Sequence, residues 1–466
     1  MSLLIPNAVP MNIMRANFMG ALTVFMLVAA QPCVRAQGSA QQCSLKEPLT
    51  LEQCIAIAIG RHGNAISAKA NYEAIKAQVN LAKAPLMPKF TTEHTFFRGQ
   101  TLGRQAGFIL RRLGETTETK QSLLSFGIQL DSGLTVTQIE QARALANASW
   151  EEFETALGNV ALNVTEAYFE LLRSQRILKL NEQRLEAANE HMRMVEARIK
   201  VGDAAPVDIY PVRVELANAR LNLLAAQNAV TVARLKLSNA MGVEETNFEI
   251  EDVPEPQLTT APLQELIEMA LKEHPEVQRL RWQLEAAKAS VKYERLQSFP
   301  VLNITAGYDV GIGGYSATER QWQINANVQF PIFDGGLTAA RIESAKSKMK
   351  ATQASYEQLL KDIRANVGRS YLDMLNAWER IGASKVVVDE AEQNLKAAME
   401  KYRLGLGIVL EVVDAQVGLF NAHVSLIQSI YDYYIAKARL EHATGELAKR
   451  CWNILRAKSA VGGNKR

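Results

Sequence analysis

The chain is short of the residues that interrupt helices. Between residues 135 and 201 there is no proline, and Gly158 is the only glycine. That excludes a series of short elements over this stretch, since proline and glycine are the strongest local punctuation. After an N-terminal apolar segment no run of 18 consecutive apolar residues occurs, so no transmembrane helix is indicated. A chain of this kind crosses a bilayer only with strands. Four cysteines in 466 residues make no disulfide scaffold. The six histidines are scattered, without an H-x-x-x-H pair or a Cys/His cluster, and no metal site is expected. No G-x-x-x-x-G-K-[ST] motif is present, so no nucleotide hydrolysis is indicated. Nothing resembles a catalytic triad, and no catalytic residue, enzymatic activity or cofactor is expected. A net charge of +3, with no Lys/Arg-dense run interleaved with aromatics, argues against a nucleic-acid partner.

The N-terminus reads as an export signal over residues 1–36. Arg15 supplies the positive region, Gly20–Ala30 the short apolar core, and Val34-Arg35-Ala36 a small-residue cleavage site. The true start is Met1, Met11 or Met14. Cys33 follows Gln31-Pro32 rather than small residues, so lipidation is not expected. Cleavage leaves Cys43, Cys54 and Cys451, an odd number that permits one internal disulfide. A Cys43–Cys54 bridge and a free thiol both remain open.

What fills the uninterrupted stretch is mainly Ala, Leu, Glu, Arg and Gln, all helix formers. Alternating steps of four and three from Leu157 pass through Ala161, Val164, Tyr168, Leu171, Leu178, Leu185, Met192 and Ile199. This is a coiled-coil period. A helix over 135–201 would be about 100 Å long at 1.5 Å per residue. The same ladder recurs as Leu360, Val367, Tyr371, Met374, Trp378, Ile381, Val388, Leu395, Met399 and Tyr402, within a second long helix expected over 336–404.

The recurrence extends to the whole chain. Leu51, Ile55, Ala58, His62 and Pro88 fall on Leu263, Ile267, Ala270, His274 and Pro300 at a shift of 212 residues. From Asp131 to Gly242 the shift is 203, matching Gly202 to Gly405, Asp208 to Glu411 and Gly242 to Gly445. One loop of the first half is therefore longer by nine residues, and it lies between that half's two strands. The expected organisation is a first repeat over 37–242, a linker over 243–261, a second repeat over 262–445 and a basic tail over 446–466. Each repeat also carries two shorter helical stretches, near 50–84 and 207–240, and near 262–298 and 408–444. These are expected to stack end to end beside the long helix. Gly202 and Gly405 mark the hairpin tips, with Leu406 and Gly407 beside the second. The tail has no usable period and is expected to be surface or disordered. His62 and His274 recur near a helical bend and read as structural polar residues.

Ahead of each long helix the period changes from 3.5 to 2. Trp322, Ile324, Ala326, Val328 and Phe330 alternate with Gln323, Asn325, Asn327 and Gln329. Leu302, Ile304, Ala306, Tyr308 and Val310 alternate with Asn303, Thr305, Gly307 and Asp309. Leu124–Leu130 does the same in the first half, and the stretch from Phe90 to Gly99 does so less cleanly, with Thr92 and His94 on the apolar side. Strands are expected over about 90–99, 122–131, 301–310 and 322–330. Their length and pattern suit an outer-membrane barrel. Four strands cannot close one, so a membrane reading requires other copies; three supply twelve strands.

Export signal, duplicated halves, paired strands and hairpins of ~100 Å together resemble the TolC family of outer-membrane efflux proteins. The resemblance runs from about Pro48 to Gly445. It rests most on Leu49-Thr50-Leu51-Glu52-Gln53, on Pro331-Ile332-Phe333-Asp334-Gly335-Gly336, and on Tyr402-Arg403-Leu404-Gly405 followed by Glu411-Val412-Val413-Asp414-Ala415. It implies a mainly α fold with a small β part. Duplicated coiled-coil hairpins and four transmembrane strands per chain would complete, as a homotrimer, a 12-stranded β-barrel and an α-barrel tunnel. It also implies an exit duct for efflux or type I secretion, partnered by outer-membrane lipid, a periplasmic adaptor and an inner-membrane pump. Glu411 and Asp414 fall on the family's acidic pair at the periplasmic entrance, and their i, i+3 spacing lets both face one way. Acids also suit the first turns of a helix through its dipole. Asp208 and Tyr402 fall on positions that help hold the entrance shut; equally, Asp208 supports its own helix start and Tyr402 is a heptad rung. The arginine that the family carries after the second tip glycine is replaced, leaving Gly407. A different class of function, an exported coiled-coil envelope protein without a pore, accounts for the heptads and the duplication but not for the strands.

Overall fold

A computed structural model describes residues 48–100, 116–131, 133–258, 261–309 and 321–462. The export signal, Cys33, Cys43 and the longer strand-connecting loop of the first half lie outside the described residues. The order of elements is α1 (Leu51–Arg61), α2 (Gly63–Lys83), β1 (Lys89–Gln100), β2 (Thr116–Leu130), α3 (Leu134–Lys200), α4 (Ile209–Met241), α5 (Leu263–Glu273), α6 (Pro275–Leu296), β3 (Val301–Asp309), β4 (Gln321–Gln329), α7 (Leu337–Arg403), α8 (Val409–Ala443) and α9 (Glu446–Gly462). Two short 3₁₀ turns, Ala84–Leu86 and Pro206–Asp208, precede β1 and α4.

The two long helices, α3 and α7, each have 67 residues. Both start in the same way. The Asp131 carboxylate accepts from the Gly133 and Thr135 amides at 3.0 and 2.9 Å, and Asp334 accepts from those of Gly336 and Thr338 at 3.0 and 2.7 Å. Helix α3 is flanked by α2 and then α4 along one side, and by α6 and then α8 along the other; α6 and α8 in turn pack against α7. The result is a single layer of helices. Because α3 has neighbours on both sides, it buries more than one seam. Leu157, Ala161, Val164, Tyr168 and Leu171 follow the 3.5-residue ladder and are buried. Further along, the buried residues are Asn181, Ala188, His191 and Val195, a second heptad track beside Leu185 and Met192, which are only half-buried.

The first short helical stretch of each half is broken in two. His62 and His274 stand between the pieces in extended conformation, and each accepts from the amide two residues on through Nδ1 at 3.2 Å. They are helix caps. Both sit against the glycine that ends the same repeat's last hairpin helix: a Cβ on Gly242 would lie 2.9 Å from His62 Cα, and one on Gly445 would lie 3.1 Å from His274 Cα.

The strands form one antiparallel sheet in the order β1-β2-β3-β4. The register puts Phe126 opposite Phe90 and Ala306, Ile304 opposite Ile128 and Ala326, and Tyr308 opposite Trp322. Since side chains alternate faces along a strand, one face is apolar across β2, β3 and β4, and Thr92 and His94 of β1 interrupt it at one edge. The other face carries Thr91, Ser125, Asn303, Thr305, Asn325 and Asn327. Among the described residues no helix covers the apolar face: Phe90, Trp322, Ile324 and Val328 are all more than 60 % exposed. Strand β2 begins earlier than the alternation predicts, with Thr116–Gln121 paired to Thr95–Gln100. Its side chains carry no apolar period to announce it.

The expectation for the C-terminal tail is corrected. Residues 446–462 are helix α9, which packs on α3, α8 and α1. Leu447, Ala448 and Cys451 are buried, and the Trp452 ring stands edge-on to that of Trp150 at 5.0 Å. Lys449 pairs with Glu273, and Arg450 with Glu52 at 3.2 Å. Cys54 and Cys451 are buried free thiols, and burial pushes both up to about 12.

Residues 243–258 cross the helical layer on one side. They are fastened there by the Tyr168 hydroxyl, which donates to the carbonyls of Leu49 (3.2 Å) and Glu251 (2.5 Å), by Tyr433 to Gln257 (2.8 Å), and by Tyr434 to Pro254.

Candidate functional site: the hairpin tips

Both hairpins turn through the same cap. At the first tip Gly202 has φ 83°, its amide donates to Ile199 O, and the Asp203 amide donates to Arg198 O at 2.8 Å. At the second, Gly405 has φ 75°, its amide donates to Tyr402 O, and the Leu406 amide donates to Lys401 O at 2.9 Å. These are Schellman motifs, in which a left-handed residue returns two amides to the last orphan carbonyls of the helix. The repeat thus places equivalent turns at the ends of two helices of equal length.

Beneath the tips, Val195 of α3, Val212 of α4, Ala398 and Tyr402 of α7, and Val409, Val412, Val413 and Ala415 of α8 form one apolar cluster. Four helices meet there. The buried residues of α8 leave Glu411 and Asp414 on its other side, and both are exposed. The Glu411 carboxylate leans back towards the tip loop, where a Cβ on Gly407 would lie 3.3 Å from Oε2. Leu406 at 79 % and Val201 at 79 % exposure crown the two tips, with Leu404, Ile408 and Val207 beside them.

Asp208 closes the 3₁₀ turn before α4, half-buried, and its side chain does not cap that helix. Nor does it hydrogen-bond Tyr402: the Tyr402 hydroxyl is buried and has no hydrogen-bond partner among the described residues. Burial is the main cause that pushes this hydroxyl above its ordinary pKa; the carboxylates of Asp208 and Asp203 push it the same way, and Arg198 opposes them. The two positions feel each other's charge without being hydrogen-bonded.

Tyr402 has a different partner. Arg198, in the last turn of α3, lays its guanidinium over the Tyr402 ring at 4.6 Å from the centroid. It donates to the Tyr402 carbonyl at 3.3 Å and pairs with Asp203 at 3.0 Å. An arginine therefore links the hairpins from the first tip, although Gly407 occupies the second-tip position. The only sequence signal for it is a basic residue in a helix's last turn, five before an aspartate, which is too common to single out. Higher up, Arg184 of α3 and Glu215 of α4 form a pair at 2.8 Å with side chains 12 % and 6 % exposed, and the guanidinium covers Phe420 of α8. Among the described residues no group of acids, histidines and cysteines is arranged to hold a metal ion, and no helix is long and apolar enough to cross a membrane.

Helix hairpins with equivalent tips, joined to a sheet with a bare apolar face, match a known family. The model described as "Outer membrane efflux protein" matches residues 58–243 and 266–446. The chain belongs to that family. Outer-membrane efflux proteins similar to it include BepC of Brucella suis biovar 1, 23% identical over 430 residues that cover 90% of each chain. The cobalt-zinc-cadmium resistance protein CzcC of Cupriavidus metallidurans is 24% identical over 85% of this chain and 90% of its own. TolC of Vibrio cholerae is 23% identical over 74% of this chain and 82% of its own. Among solved structures, CusC superposes with a TM-score of 0.75 at 20% identity, covering 84% of this chain and 91% of that one. VceC of Vibrio cholerae does so at 0.73 and 19%, covering 85% and 96%. The fold is shared at this distance, and the efflux family assigns the protein to the outer membrane.

Proposed function

We propose that this outer-membrane efflux protein works as a homotrimeric, passive exit duct whose periplasmic entrance is gated at the tips around Glu411 and Asp414. The observation that carries the reading is the sheet. It has one apolar face that nothing covers and two outer strands, β1 and β4, with no partner among the described residues. Open edges in lipid leave backbone groups unsatisfied, each at a cost of several kcal/mol. Three chains of four strands remove them by closing a twelve-stranded barrel. The helices support association with further copies. Val214, Leu221, Leu224 and Leu235 form an exposed heptad stripe on α4, and Leu372, Val386, Val387 and Met399 are exposed on α7. These helices bound the layer on opposite sides, so a neighbouring copy offers each stripe its counterpart.

The duct has no motor of its own. Energy comes from an inner-membrane pump reached through a periplasmic adaptor, for which the exposed apolar tips, including Gly202, Gly405, Leu406 and Gly407, are the contact. CzcC is named for metal resistance, TolC is not, and the wide conduit itself carries no cargo code, so both drug-type efflux and type I secretion fit. Asp208 and Tyr402 contribute to the closed state through the tip cluster, with Arg198 as the bond between hairpins. A pore-free coiled-coil role leaves the uncovered apolar sheet without a purpose.

The test is conductance across a planar lipid bilayer. Purified trimers are expected to form discrete, cation-preferring channels that multivalent cations block from the tip side. Replacing Glu411 and Asp414 together by alanine is expected to weaken both the preference and the block, since six carboxylates around a narrow mouth set its field. Trimers that give no discrete channels at any pH overturn the duct reading. Unchanged selectivity in the double variant removes the acids from the gate.

A further inference from the structure

A hollow of about 1060 Å³ opens on one side of the helical layer and is lined by α3, α4, α7 and α8. On α3 it is bounded by Glu166, Glu170 and Arg173, spaced by four and three and so on one face. On α8 it is bounded by Asp432 and Arg439, seven apart. Tyr168 and Tyr434, each two residues from one of these, point the other way and hold the linker. The hollow therefore lies on the side of the layer opposite residues 243–258. A single layer that forms a concavity across four helices is curved, with that side inward.

Resting on the duct reading, we propose that this hollow face is part of the inner wall of the conduit, and that its ion pairs keep this stretch of the wall near neutrality so that solutes of either charge pass it. Four acids and four bases line it, and most are paired across helices. Arg439 of α8 meets Glu166 of α3 at 2.7 Å. Asp432 is shared between Arg173 of α3 at 3.3 Å and Arg380 of α7 at 3.6 Å, and Arg173 also holds Glu170. These pairs are a quarter to about 60 % exposed, so they add little to stability; their consequence is electrostatic. Sign preference is then a property of the tip acids, and this stretch of the wall is a step that does not discriminate.

Single neutralisations on the wall test this by reversal potential in asymmetric KCl. Arg439→Gln exposes an unpaired Glu166 in each copy and is expected to shift the potential towards cation selectivity. Glu166→Gln is expected to shift it the opposite way, and the double variant to return it to the wild-type value. Variants that conduct with wild-type selectivity in both single forms overturn the inference while leaving the duct reading intact. A wild type that forms no channels overturns both. Should either variant fail to assemble, Asp373→Cys, an exposed position on the same wall, gives a second measurement. A cationic thiosulfonate reagent is expected to lower the conductance of this variant and not that of wild type. Modification confirmed by mass without any change in current overturns the assignment.

Discussion

At the residue scale, glycines that look alike in the sequence have different tasks. Gly202 and Gly405 turn the tips in open space, whereas Gly242 and Gly445 also lie against the backbone of the histidine caps. Gly405→Ala is expected to cost only the left-handed penalty, about 1–2 kcal/mol. Gly242→Ala and Gly445→Ala add a backbone overlap and are expected to cost a further ~1–3 kcal/mol. Comparison of urea or thermal midpoints checks the ranking, and equal losses at all three sites count against it. His274 carries a pH dependence. Burial, and then the neighbouring His442, pull its pKa down from 6.5 to about 4, and its Nδ1 must stay unprotonated to accept from the Glu276 amide. The folded state binds this proton less well than the unfolded state, so stability present above pH 6.5 falls as the pH drops through about 4. His274→Asn keeps a capping side chain and is expected to flatten the melting-temperature slope between those pH values relative to wild type.

Elements differ in how openly they announce themselves. The long helices are legible because nothing interrupts a 3.5-residue period, and β3 and β4 because their period is strictly two. The split of the first helical stretch at His62 left only a bend as a clue, because His62 is not a breaker by type; its capping bond makes it one. Helix α9 gave no signal at all. Its few buried residues are chosen by what lies beneath them on α3 and α8, not by a repeating face. The sheet yields a prediction of its own. Ile324 lies mid-strand on the bare apolar face and Asn325 on the opposite one. Ile324→Lys is expected to destabilise membrane insertion by about 2–4 kcal/mol, while Asn325→Lys is tolerated. Urea titration of folding into lipid vesicles separates the two, and equal effects would argue against a lipid-facing sheet.

For the whole molecule, the proposed trimer makes assembly the property to test. The heptad stripe on α4 is exposed within one chain, so charging it should leave the protomer's own packing in place. Leu221→Glu combined with Leu224→Glu is expected to abolish the trimer in native mass measurements while preserving the helical circular dichroism signal. A variant that remains trimeric removes α4 from the subunit seam. The tip residues belong to this scale as well. Glu411 and Asp414 sit on one exposed side of α8 because Val412, Val413 and Ala415 claim the other, and in the proposed trimer neighbouring copies would bring the acids round a common opening.

What the sequence determined by itself is periodic: two copies of one unit, long helices, alternating strands, glycine turns and the acidic pair after the second tip. Periodicity is a local property, written in the spacing of residues along the chain, and it needs no knowledge of what lies opposite. The tertiary structure alone decided which side of the helical layer is hollow, that Tyr402 is held by Arg198 rather than bonded to Asp208, and that the C-terminal segment folds onto α3. Each of these depends on which surfaces meet across more than a hundred residues of chain. Such meetings are selected by the summed packing of the whole layer, and no short spacing encodes them.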